Sequence, residues 1–180
     1  MQDKDVIYRA LEAAELTPEF FRGFDRTQEV RRCWRKENGR WVLRHIAFTE
    51  HWGPAEFEKL AACLQNTLRT GGVVFGALCG GRVIGFASVE NEPFGAHGEY
   101  RQLSSLHVSR ESRGCGIGRI LFYMACDAAR RLGAEKLYIS SHSCEETQAF
   151  YRAVGCVEAK EYNPRLVEAE PCDCQLERAL

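Results

Sequence analysis

Long apolar runs are missing from this chain of 180 residues. No stretch approaches the 18 or so residues that cross a bilayer, and the polar start from Met1 to Asp5 lacks the apolar core of a secretory signal. A surplus of one charge is missing as well. The 24 Lys and Arg stand against 25 Asp and Glu, a net charge of -1, which removes the basic footprint of a nucleic-acid or anionic-membrane binder. The expectation is a soluble, cytoplasmic protein with neither nucleic acid nor membrane as partner. Linkers rich in proline or serine, internal repeats and low-complexity segments are also lacking. Residues 1–180, about one domain's worth of chain, are therefore expected to fold as a single domain. Hydrophobic residues at 45% and charged residues at 27% supply a core and argue against disorder.

Cysteine, by contrast, is abundant. Nine are present, and an odd number without an export signal argues against a disulfide framework. The close pair Cys172-Asp173-Cys174 has no second pair and no His-x3-His to complete a tetrahedral zinc set. No metal is expected, and most thiols read as fillers of small buried sites.

Strands and helices alternate along the rest. Val6 to Leu11 is strand-like, and Thr17-Pro18-Glu19 opens a short helix. Two β-capable runs, 30–36 and 41–46, flank Asn38-Gly39, the strongest short-range hairpin signal. From Pro54 a helix carries Phe57, Leu60, Ala61, Leu64 and Leu68 on one stripe until Gly71-Gly72 stops it. Strands follow at 73–79 and 82–90, joined through Gly80-Gly81, and another at 103–108. The best helix runs from Ile117 to Leu132, and a strand occupies 136–140. Ser143 and Glu146 have capping-box spacing for a helix bearing Phe150, Tyr151 and Val154. Short strands are expected near 157–160 and 172–176. This order makes an α/β domain around a mixed sheet.

Chemistry concentrates in the turn before the best helix. Gly114, Gly116 and Gly118 lie between a strand and a helix, flanked by Arg113 and Arg119. Glycines let backbone N–H groups approach a ligand, and a helix N-terminus adds unpaired donors and a positive dipole end, so the turn can hold an anion. Arg119-Ile120 after Gly118 breaks the P-loop pattern, and Arg119 stands where a dinucleotide fingerprint needs its third glycine. Glycines serving the turn geometry alone are the plain alternative.

The pattern Arg113-x-x-Gly116-x-Gly118 resembles the acyl-CoA pyrophosphate loop of the GNAT superfamily of N-acetyltransferases, and Phe150-Tyr151-x-x-x-Gly155 resembles its second hallmark. The resemblance spans about residues 73–160. It implies a mixed, mostly antiparallel twisted sheet with a splayed central strand pair, flanked by helices. Residues 1–72 would form the acceptor side with an extra hairpin, 73–160 the acetyl-CoA-binding core, and 161–180 a C-terminal strand region. By the same resemblance Leu106, His107 and Val108 would meet pantetheine and the acetyl carbonyl. Arg113, Gly114, Cys115, Gly116, Ile117, Gly118 and Arg119 would hold the pyrophosphate. Tyr151 would protonate the departing thiolate, its phenol near pKa 10 being suited to a thiolate of similar basicity.

Two departures from the family pattern stand out. Where some relatives carry a Glu or His as general base on the motif strand, this chain has Gln102 and then Ser104. Glu90 is the preferred candidate for general base, with Glu99, His97 or a water chain as alternatives. Relatives carry Asn and Ala where Cys144 and Thr147 stand, so Ser141, Gln148 or Ser143 would replace the asparagine contact to the cofactor side. Cys115 and Cys144 would have activated thiols near helix starts, Cys115 being placed to form a mixed disulfide with coenzyme A. The acceptor is expected to be a small-molecule amine held around Phe48, Glu50, His51 and Trp52 and by residues 161–170. Over residues 141–180 eight acidic side chains face four basic ones, a balance that attracts cations. Trp34 and Trp41 would wall a pocket, pair across the hairpin or meet a second subunit; a homodimer is left open. The rival function is an acyl-CoA sensor without turnover.

Overall fold

A computed structural model describes residues 6–180. Its hairpins follow from local sterics. Asn38 and Gly39 take φ of 49° and 79° between β2 (Gln28–Glu37) and β3 (Arg40–Glu50). Gly80 and Gly81, at 58° and 77°, do the same between β4 (Val73–Cys79) and β5 (Arg82–Val89). Positive φ at both central residues matches the right-handed twist of the flanking strands. The β2–β3 arm is a separate two-stranded sheet, longer than its hydrophobic runs suggest. Trp34 pairs with Leu43 and Trp41 with Lys36, so the tryptophans are not direct cross-strand partners.

Among the described residues the main sheet has seven strands. They are β1 (Ile7–Ala10), β4, β5, β6 (Tyr100–Val108), β7 (Lys136–Ser141), β9 (Cys174–Ala179) and β8 (Val157–Glu158), in that spatial order, and only β6 and β7 pair in parallel. Helix α1 (Pro54–Arg69) covers one face, where Leu60, Ala61 and Leu64 pack on Val74, Val83 and Phe86. Helices α2 (Ile117–Arg131) and α3 (Glu145–Ala153) cover the other, with Leu121, Phe122 and Tyr151 against Ala77, Ala87 and Leu137. The expected helix at residue 17 is a single 3-10 turn, Pro18–Phe21. A further short helix, α4 (Pro164–Ala169), was not anticipated; Asn163 caps it by accepting from the Arg165 N–H. Five cysteines are buried, at 33, 126, 144, 156 and 174. No described helix is long and apolar enough to cross a membrane.

The feature that positions the site is the divergence of β6 from β7. They pair only through Tyr100, Arg101 and Gln102 with Lys136, Leu137 and Tyr138. Beyond that point β6 stays with β5 while β7 stays with β9. The β5–β6 register shifts where Ser88 faces Ser105 and Val89 faces Leu103, leaving Ser104 as the extra residue; such a bulge bends its strand. Below the divergence, the Tyr100 hydroxyl donates to buried Glu177 at 2.5 Å, with Lys136 Nζ 3.6 Å from the same carboxylate. Burial and the hydrogen bond to Glu177 push the Tyr100 phenol up to about 12.

Candidate active site

Between the splayed strands lies a cleft of about 730 Å³, a size suited to a ligand. Its walls are β6 from Leu103 to Val108, the glycine turn, Ser140 to His142 at the end of β7, and Glu146, Thr147, Phe150 and Tyr151 of α3. Arg26, Gln28 and Glu29 close it from the segment that enters β2.

At one end the main chain dominates. Gly114 and Gly116 take φ of 77° and 81°, and α2 begins at Ile117 with Gly116 as its N-cap. Gly118 therefore lies in the first helical turn, not before it. The unpaired N–H groups and positive dipole end of α2 face the cleft mouth. Arg113 braces this turn: its Nε donates to the Val108 carbonyl at 3.0 Å and its Nη1 to the Thr27 carbonyl at 2.8 Å. Arg119 is exposed at the mouth. Cys115 is exposed and stands outside the lining, its Sγ turned toward the Arg113 carbonyl.

Tyr151 is buried against Phe122 and Phe150 and lines the inner cleft. Its hydroxyl has no hydrogen-bond partner among the described residues. Burial, then the charges of Cys156 and Asp173, push its phenol well above the usual value. Gln148 does not line the cleft. It donates to Ser141 Oγ at 2.8 Å and to the His142 carbonyl at 3.0 Å, fixing the end of β7, while Ser141 itself does line it. Helix α3 starts at Glu145 with Cys144 as N-cap. Ser143 does not cap it, because its hydroxyl accepts from Arg35 at 2.6 Å.

The other end is made of side chains. His107 packs edge-on to Trp52 and tilted on Phe86, with centroids at 4.9 and 5.2 Å, and its Nδ1 accepts from Arg26 Nε at 3.0 Å. Burial and the Arg26 and Arg113 charges bring the His107 ring down to about 3. His142 Nδ1 accepts the Cys144 N–H at 3.1 Å, its ring meets Phe48 at 5.7 Å, and burial lowers it too. Arg26 also reaches Glu50 at 3.3 Å and lies over Trp52. Of the expected acceptor residues, Phe48, Glu50 and Trp52 thus gather here. His51 bonds Thr27 at the rim, whereas Glu161 accepts from the Ala96 N–H around a separate, smaller hollow.

The candidate bases are spread out. Glu90 stands behind the cleft wall, its Oε1 accepting Thr67 Oγ1 at 2.7 Å and Ser104 Oγ at 2.5 Å; Ser104 lines the cleft and Glu90 does not. Glu99 folds back on the His97 N–H before β6 begins, away from the splay, and those backbone donors hold its carboxyl below the usual range. In the sequence Asp173 counts only as one of eight acidic residues in 141–180 and as the spacer between two cysteines. It is partly buried, accepts from Ser140 Oγ at 3.3 Å, and is pushed up to about 6 by burial and the nearby Glu170 and Glu50. Arg26, Gln28, Ser140 and His142 were also missed. The Ser140, His142 alternation at the end of a strand was the one signal available.

Against known proteins, a family model described as the acetyltransferase (GNAT) family matches residues 13–156. No curated protein matches by sequence. Among solved structures, a nourseothricin acetyltransferase superposes with a TM-score of 0.67 at 19% identity, covering 96% of this chain and 95% of its own. The PaiA N-acetyltransferase of Thermoplasma acidophilum, in complex with coenzyme A, gives 0.60 at 14% identity over 98% and 99%. The IAA acetyltransferase of Bacillus cereus ATCC 14579 gives 0.57 at 16% identity over 98% and 100%.

Proposed function

The chain belongs to the GNAT acetyltransferase family, and from that premise we propose that it transfers acetyl from acetyl-CoA directly to the primary amine of a small molecule. The observation that carries this reading is the parted β6–β7 pair, with the α2 N-terminus at its mouth and the free Tyr151 hydroxyl inside it. The pyrophosphate lies on the α2 N–H groups and near Arg119, and pantetheine enters between the strands, where neither edge has a ladder partner. The β6 backbone at Leu106 to Val108 polarises the acetyl carbonyl and stabilises the oxyanion of the tetrahedral adduct. Tyr151, kept protonated by its burial, donates to the departing thiolate. Glu50, Glu170 and Asp173 on the acceptor side favour a cationic partner.

Thiol release from acetyl-CoA, measured against diamines, amino acids, aminocyclitols and peptide N-termini, tests the proposal. Amine-dependent release with an N-acetylated product is expected. Tight acetyl-CoA binding with no release above hydrolysis would identify the domain as an acyl-CoA sensor instead.

A further inference from the structure

One backbone group sets the direction of a hydrogen-bond chain on β7. The Asn163 N–H can only donate, and it donates to the Tyr138 hydroxyl at 2.9 Å. Tyr138 gives its own hydrogen to Gln175 Oε1 at 2.7 Å. That turns Gln175 Nε2 toward Ser140 Oγ, 2.9 Å away, and leaves Ser140 to donate to Asp173 Oδ2 at 3.3 Å. Tyr138 and Gln175 are fully buried, so water does not compete for these directions. Ser140 lines the cleft, and one lone pair of its oxygen remains for a ligand N–H.

The two imidazoles of the cleft cannot act this way. An arginine N–H and a backbone N–H can only donate, so the Nδ1 atoms of His107 and His142 are acceptors and each neutral ring carries its proton on Nε2. Neither ring has a lone pair left to take a proton. Glu90 is reached through Ser104 and shares its Oε1 with the Thr67 hydroxyl of α1. Asp173 stands behind Ser140, the lining residue that donates to it.

We propose that Ser140 and Asp173 are the route by which the acceptor ammonium loses its proton, a role resting on the acetyl-transfer reading above. The ammonium donates to Ser140 Oγ, Ser140 passes its hydroxyl hydrogen to Asp173 Oδ2, and the freed lone pair attacks the thioester carbon. When the tetrahedral adduct collapses, Tyr151 protonates the thiolate, and the second proton lost from nitrogen returns through solvent to the Tyr151 phenolate. The first leaves Asp173 for water. Asp173 is suited to this by the groups that face it: Glu170 on its own loop and Glu50 of β3 raise its proton affinity, while the Ser140 hydroxyl lowers it. The Tyr151 phenol of α3 and the neighbouring Cys174 thiol feel its charge.

The test uses the full chain with 1,4-diaminobutane as acceptor, reading thiol release against pH and acetyl-CoA affinity by calorimetry. Asp173→Asn and Ser140→Ala are each expected to lower kcat/KM by about 100-fold with acetyl-CoA affinity unchanged, and Asp173→Asn to abolish the acid limb near pH 6. Asp173→Glu should restore part of the rate, and the double variant should be no worse than the poorer single one. An acid limb that survives in Asp173→Asn, or losses that multiply in the double variant, would overturn the route. Wild-type protein that releases no thiol with this or any panel amine fails the transfer reading itself, a failure visible without any substitution.

Discussion

The two ends of the cleft are built from different materials. The end proposed for the acyl donor is mostly main chain: a glycine turn, a helix terminus and two unpaired strand edges. The end proposed for the acceptor is mostly side chains that hold one another: Arg26 meets His107 and Glu50, Phe48 meets His142, and Ser140 meets Asp173. Main-chain recognition depends on backbone path, which many sequences can produce. Recognition by mutually dependent side chains lacks that tolerance. Changes at the donor end should alter how tightly the acyl donor is held, and changes at the acceptor end should alter how rate and stability respond to pH.

The largest expected departure lies where the ends meet. Tyr151→Phe should lower kcat by about 10²–10⁴ across the working pH range, since burial keeps the phenol protonated throughout. Its thermal stability should hold, because the hydroxyl bonds nothing in the protein. An unchanged rate would break the assignment of Tyr151 to the leaving group.

Next comes acid sensitivity. His107 has a folded-state value of about 3 against about 6.5 unfolded. Below pH 6.5 the unfolded chain takes up a proton that the native chain refuses. Stability from this group is therefore full above pH 6.5 and falls progressively toward pH 3, by about 2 kcal/mol between pH 7 and 5. Asp173 works oppositely, since from about pH 6 downward the native chain holds a proton that the unfolded one does not. Urea midpoints at pH 7 and 5 should show a flatter acid loss in His107→Gln and a steeper one in Asp173→Asn. Equal slopes in wild type and both variants would contradict the opposed contributions.

The smallest effect belongs to the donor end. Gly116→Ala forces a side chain into the left-handed region at φ 81°, lowering stability by about 1–2 kcal/mol and weakening acetyl-CoA binding. The acid limb of the rate should stay in place. A shift of that limb would mean that the two ends are not separable.

Legibility in the sequence follows the same division. Asn38-Gly39, Gly80-Gly81 and the turn from Gly114 to Gly116 could be read directly, since a positive φ is a matter of one residue and its own Cβ. Tyr151 could be placed because helical spacing and its pairing with Phe150 are also short-range. Ser143 misled, since its hydroxyl is captured by Arg35 from the distant β2. Asp173 was hidden for a similar reason. Its surroundings come from β3, β7 and its own loop, brought together only when the β5–β6 bulge parts the strands and the hairpin seats Cys33 beside Cys144.

By itself, then, the sequence determined the hairpin turns, the amphipathic helices and the glycine turn before α2, because adjacent residues decide backbone conformation within one turn. Tertiary structure alone decided which serine faces a carboxylate, which imidazole nitrogen is occupied and where the cleft opens. Hydrogen-bond direction and desolvation depend on groups that become neighbours only after the chain has closed on itself.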